Sequence, residues 1–140
     1  MAHELAHHKM RHIAQMLLFG FISSAAGFFL FSQLAESFDQ QFHIKLLTDA
    51  RNLPLLAFIF LLFGLILMPL QNSFSRKLER DADRFALQST QSKQSFVSLL
   101  QKLSRQNLSD ISPHPLIEFF LYDHPSIAKR LRLADEEQNK

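Results

Sequence analysis

Apolar and polar positions fall in long blocks along this chain before they settle into helical stripes. Residues 13–34 contain no charged side chain, and 53–70 form a second, denser run of Leu, Ile and Phe. A hydrocarbon layer about 30 Å thick takes about 20 helical residues, so the pattern predicts one membrane span over 13–34 and, with Gln71 included, another over 53–71. Between them, residues 35–52 carry Glu36, Asp39, Lys45, Asp49 and Arg51. Such charges are costly at the bilayer centre, which predicts a loop in water or among headgroups. Two spans make a hairpin that returns the chain to the side it left.

Beyond the hairpin the apolar period becomes helical. Ser75 reads as the N-cap of a charged helix running to Ala86. Phe96, Leu99, Leu100, Leu103 and Leu108 recur at near-helical spacing over 94–108, which predicts an amphipathic helix with a packing role. Residues 109–115, with Pro113-His114-Pro115, predict a break, and His114 is placed in that turn rather than on a metal. Pro125 opens a last helix, with Lys129, Arg130 and Arg132 ahead of an acidic, frayed tail. The expectation is an all-α membrane protein divided as 1–12, span 13–34, loop 35–52, span 53–71 and a helical region 72–140.

Composition sharpens this picture at three points. The mean hydropathy of −0.00 averages two apolar blocks against polar flanks, so the mean hides the organisation. The 15 Phe and absent Trp of the 140 residues fit two lipid-facing runs better than two soluble core helices. With Cys 0 there is no disulfide framework, and any metal must be held by His, Asp or Glu. Near the spans, Lys9, Arg11, Arg76, Lys77, Arg80 and Arg84 outnumber Lys45 and Arg51 of the loop, which places the two ends on the cytoplasmic side. A secretory signal with Ser23-Ser24-Ala25-Ala26 as its cleavage site is the competing reading of the start. The apolar run resumes through Phe31 and a second span follows, which argues against it.

The candidate chemistry lies outside the spans. His3-Glu4-Leu5-Ala6-His7 sets two imidazoles four residues apart, about 40° around a helix axis, so each can offer one nitrogen to a single ion. Glu4 sits about 100° round from His3, beside the ion, where a carboxylate can take a proton from the attacking water. A catalytic zinc site needs a third ligand, and Glu79 is the strongest candidate. Asp83, one turn further on, is placed to accept the second ring N–H of a ligand His, and Ala82 leaves room for two helices to approach. Taken without the His pair, the same stretch fits a solvated helix whose Arg76, Lys77, Arg80 and Arg84 pair locally with Glu79, Asp81 and Asp83. His8 and His12 repeat the four-residue spacing without a carboxylate partner, so no second metal is expected there.

These residues resemble the type I CAAX prenyl proteases, membrane-embedded zinc metalloproteases with the motifs HELGHWKxxH and SRxxExxAD. His3 to His12 spells HELAHHKMRH, with Ala6 and His8 where the family has Gly and Trp, and the second motif matches at Ser75, Arg76, Glu79, Ala82 and Asp83. Asp123-His124-Pro125-Ser126-Ile127-Ala128-Lys129-Arg130-Leu131 resembles the family's SHPPxxxRL segment, and Asn107 falls in its Lys/Arg-x-Asn-Leu stretch. The resemblance implies a gluzincin-type zinc endopeptidase, one Zn2+ on His3, His7 and Glu79, Glu4 as general base, and His124 and Arg130 contacting substrate and steadying the oxyanion. It also implies a peptide or protein substrate, C-terminally prenylated if specificity is shared, a lipid bilayer, and no nucleic acid. Heat-shock-type membrane metalloproteases share the first two motifs and the hairpin and form the nearer alternative. A membrane scaffold with an incomplete site is the further one. Because family members carry additional spans ahead of the first motif, the chain is expected to be the catalytic C-terminal portion of a longer enzyme, with those spans as partners.

Overall fold

The computed structural model describes residues 2–43, 48–107 and 110–138, except the side chain of Asn107. Among them there is no strand. The elements are α1 (Ala2–Lys9), α2 (His12–Phe42), a 3-10 turn (Ala50–Asn52), α3 (Leu53–Thr90), α4 (Lys93–Asn107), α5 (Pro115–Leu121) and α6 (Ile127–Gln138). The all-α expectation holds. The chain divides into two compact units, one made of Met1–Gln15 with Pro69–Lys140 and the other of Met16–Met68.

Within Met16–Met68, α2 and α3 pair antiparallel. Phe28 and Phe31 meet Phe60 with ring centroids 5.4 and 4.8 Å apart, and Gly27 lies under the ring of Phe63, where any Cβ would overlap it. Among the described residues, two helices are long and apolar enough to cross a membrane, and only 6% of the most apolar window of each is buried in the structure. Apolar surface exposed on that scale suits lipid rather than a soluble core. α2 runs on to Phe42, so residues 35–42 are helix and not loop. That stretch has neither Gly nor Pro, and its Glu, Asp and Gln side chains do not stop a helix once it leaves an apolar layer. The helix closes at His43, whose φ of 55° makes a left-handed cap and whose N–H donates to the Asp39 carbonyl. Residues 44–47 of the expected loop, Lys45 among them, lie outside the described residues.

In the other unit, the expected helix start at Ser75 is overturned: Ser75 is buried in the interior of α3. The helical period simply continues through it from the apolar run. Pro69 withholds one backbone donor on the way, and the Ser73 hydroxyl donates to its carbonyl at 2.6 Å. The solvated-helix reading fails for a related reason. Arg76, Glu79 and Asp83, at i, i+3 and i+7, form one buried stripe, whereas Lys77, Arg80 and Arg84 are exposed.

α4 and α6 close the hydrophobic core of this unit around Leu87, Phe96, Leu100, Leu133 and Ala134. Lys93 pairs with Asp135 at 2.8 Å, and Gln88 donates to Glu137 at 3.1 Å. Those contacts keep the acidic stretch helical through Gln138, where a frayed tail had been expected.

Candidate metal centre

α1 carries His3 and His7 one turn apart, and the buried stripe of α3 brings Glu79 to them. Their ring Nε2 atoms are 3.1 Å apart, His3 Nε2 is 3.3 Å from Glu79 Oε2, and His7 Nε2 is 3.4 Å from Glu79 Oε1. His3 faces Oε2 and His7 faces Oε1 of the same carboxylate, so the three residues converge closely enough for each to offer one ligand atom to a single ion, all within 4.8 Å of one another. The donor set points the same way: Glu79 Oε2 is buried and has no hydrogen-bond donor, a costly state for a carboxylate oxygen unless a cation meets it.

Asp83, fully buried, puts Oδ1 3.0 Å from His3 Nδ1, within ion-pair distance though not aligned as a hydrogen bond. The carboxylates of Asp83 and then Glu79 push the His3 imidazole up to about 9, against the opposing effect of burial. Burial would raise Glu79 and Asp83, but the cationic partners win and both are held below the usual carboxylate range. For Glu79 the lowering comes from His3, His124 and His7, and for Asp83 from His3 and Arg130.

Arg130 is anchored by Asp83. Its Nε and Nη2 donate to the two oxygens of Asp83 at 2.7 and 2.6 Å, a two-pronged pair that ties α6 to α3. His124 Nε2 lies 3.4 Å from Glu79 Oε2, and its Nδ1 lies 2.9 Å from Asp123 Oδ1. Glu4 is exposed and joins His3, Glu79, His124 and Arg130 along one cleft of about 370 Å³. The rest of that cleft is mostly apolar, with Phe96, Leu99 and Leu103 from α4. A larger cavity of about 950 Å³, beside Gln88, Lys93 and Gln138, contains none of these residues. The side chain of Asn107 lies outside the described residues.

Three contributors went unassigned in the sequence. His12 is buried and its Nδ1 is 3.1 Å from His7 Nδ1. On one continuous helix residues five apart point about 140° apart, so the two could not meet. α1 ends at Lys9, however, and Arg11 takes a φ of 56° before the helix restarts, which swings His12 back onto His7. Arg76 is the second. Its guanidinium donates to the carbonyls of Glu118 (2.9 Å) and Tyr122 and to Ser73 Oγ (2.7 Å), closing the C-terminal end of α5. Glu118 is the third. It accepts the Ser126 N–H at 3.0 Å and pairs with Lys129 at 2.9 Å, so Arg76 and Glu118 grip the His124 turn from both sides. Lys9 adds a tie between α1 and α3, its ammonium 4.9 Å from the Phe85 ring centroid.

Residues 1–138 match the model of peptidase family M48. The chain belongs to that family. Among curated relatives, it is 31% identical to an uncharacterized metalloprotease, YhfN, of Bacillus subtilis, over 99% of this chain and 34% of that protein. It is 33% identical to a CAAX prenyl protease 1 homolog of Taenia solium, over all of this chain and 30% of the relative. The CAAX prenyl protease 1 of Saccharomyces cerevisiae is 28% identical over all of this chain and 34% of its own length. The chain thus spans about a third of the length of the curated relatives it matches. No solved structure gives a significant match.

Proposed function

We propose that this M48 chain carries the catalytic centre of a zinc-dependent membrane endopeptidase of the prenyl-protease type. The observation that carries the reading is the convergence of His3, His7 and Glu79, each offering a ligand atom within 4.8 Å of the others, with Glu79 Oε2 buried and making no hydrogen bond. These three residues would hold zinc, which when bound polarises the scissile carbonyl and makes water acidic enough to ionise near neutral pH. Glu4, open to the cleft, takes the proton from the attacking water and then delivers it to the leaving amine. Asp83 holds His3 by its second ring nitrogen and sets which nitrogen faces the ion.

His124, exposed in the cleft and fixed by its turn, donates to the developing oxyanion. Arg130, with two donors committed to Asp83, acts as a positioning residue for that carboxylate and adds positive potential to the cleft. The names of the relatives support a peptide substrate ending in a prenylated segment. The apolar α4 wall suits a greasy group beside the scissile bond. The two long apolar helices support a membrane-bound enzyme, and the basic residues near them favour the cytoplasmic face for the catalytic side.

The test is zinc content by elemental analysis of detergent-purified protein, with hydrolysis of a prenylated peptide measured alongside. The expected result is stoichiometric zinc in the wild type, none in Glu79→Ala, and retained zinc with turnover lower by about 10²–10⁴ in Glu4→Gln. Near-normal hydrolysis by Glu4→Gln would remove its role as base, and zinc retained by Glu79→Ala would remove the three-ligand site.

A further inference from the structure

α5 has the polarity of a surface helix turned inside out. Leu116, Ile117, Phe119, Phe120 and Leu121 are between 44% and 66% exposed, while its one charged residue, Glu118, is 3% exposed. Glu118 is satisfied in that position by Ser126 and Lys129, so the inward charge is a built feature. Five large apolar side chains in seven residues need an apolar cover.

The chain itself indicates which one. Asn72 Nδ2 donates to the Phe120 carbonyl at 2.6 Å. Asn72 follows Leu70, the last apolar residue of the second run, by two positions of the same helix, a rise of about 3 Å. The bond to Phe120 is therefore made just past the end of the second apolar run. Lys77 and Arg80, exposed and without an ion pair among the described residues, follow one to two turns later, within reach of headgroup phosphates. Tyr122, an interfacial residue type, closes the helix.

We propose that α5 lies in the membrane interface, with Leu116, Ile117, Phe120 and Leu121 among the outer acyl chains and anionic headgroups against Lys77 and Arg80. This rests on the membrane reading above. It has a consequence for the reaction. The turn bearing His124 starts at the end of α5 and is gripped by Arg76 and Glu118, so a lipid-seated α5 sets the depth of His124. The bonds cleaved are then those presented at the bilayer surface, and not those of peptides free in solution.

Because the chain has no Trp, Phe120→Trp gives a single reporter. The full chain carrying it is reconstituted in phosphatidylcholine–phosphatidylglycerol vesicles whose acyl chains are brominated either near the headgroup or near the chain centre. Phe58→Trp, in the second apolar run, reports whether the spans insert. The expected result is that headgroup-proximal bromine removes about half of the Phe120→Trp emission, the depth of an interfacial helix, with protection from aqueous iodide. Phe58→Trp is quenched best by the chain-centre bromine. Phe120→Trp reached by iodide but not by bromine would overturn the proposal in favour of a face in water. Shielding from both would overturn it in favour of a protein cover, either a second copy or another segment. If Phe58→Trp is unquenched by either lipid, the membrane reading falls and the proposal with it. Phe119→Trp serves as a second reporter should the first variant fail to fold.

Discussion

Replacing Asp83 by Asn separates two jobs that one carboxylate performs. Asp83 is fully buried, takes both prongs of Arg130 and stands against His3 Nδ1. Breaking a buried pair from one side leaves an uncompensated charge and costs about 3–5 kcal/mol. The Arg130 side chain is 13% exposed, so water relieves part of that penalty and about 3 kcal/mol is the figure to expect. Loss of a carboxylate behind a ligand His weakens metal binding by about 10- to 100-fold. A carboxamide still offers an acceptor near His3, which puts the expected loss near the low end, about 10-fold, or about 1.4 kcal/mol. The stability change is read by urea unfolding in mild detergent with a chelator present. The metal change is read by competition against a chromophoric chelator. Asp83→Asn combined with Arg130→Met removes both charges, and stability should return to within about 1 kcal/mol of wild type while zinc affinity stays low. An Asp83→Asn protein with wild-type zinc affinity would refute the reasoning and leave Asp83 a purely structural tie.

Other perturbations address neighbouring contacts. His12→Ala should weaken zinc by about 10-fold, since His7 Nδ1 loses its partner, and His12→Asn should restore most of it; equal affinity in all three proteins would show His12 to be packing alone. Arg76→Lys keeps the charge but loses the fork that reaches the Glu118 and Tyr122 carbonyls, so emission from Tyr122, the sole Tyr, should report earlier unfolding than in wild type. For Glu118, burial would raise the carboxyl, but the Ser126 N–H and Lys129 hold it below its ordinary 4.5. Its stabilisation is therefore complete above about pH 4.5 and is lost as pH falls through the lowered value. Glu118→Gln should flatten that acid-side decline in Tyr122-monitored unfolding without abolishing it, because Asp83, Glu79 and Asp123 are lowered too. Gly27→Val places a side chain where the Phe63 ring lies and should loosen the pairing of α2 with α3, seen as a weaker excimer between pyrene labels on the two helices.

Much of the site was legible because its spacings are local. His3 and His7, and Glu79 and Asp83, are helical neighbours, so their side-chain directions follow from 3.6 residues per turn without any tertiary knowledge. The two spans are legible for the same reason, since apolar length needs no partner to be measured. The remainder depends on backbone or long-range facts. The left-handed Arg11 that folds His12 onto His7 carries no glycine to announce it. Ser75 has the chemistry of a cap, yet the helix running in from the apolar block leaves nothing to cap. The pairing of Arg130 with Asp83 could not be read because the two are 47 residues apart in sequence. α5 was invisible because seven residues with a single charged side chain, Glu118, are too few for a helical period to be read.

One face of α3 accounts for how distant motifs become a single centre. Arg76, Glu79 and Asp83 fall within about 60° of one another around the axis, and each reaches a different part of the chain. Arg76 secures α5 and the turn of His124, Glu79 meets the imidazoles of α1, and Asp83 joins His3 to Arg130 of α6. Each partner is polar and each contact is at least partly buried, so an error in one register would orphan a charge rather than merely lose a contact. The stripe thereby specifies the arrangement more sharply than the small apolar cluster of α4 and α6 could. It also explains why the residues nearest the proposed ion are held by charges rather than by packing. A ligand set on a helix as short as α1 has little hydrophobic area to fix it, and the carboxylates of α3 supply the missing constraint.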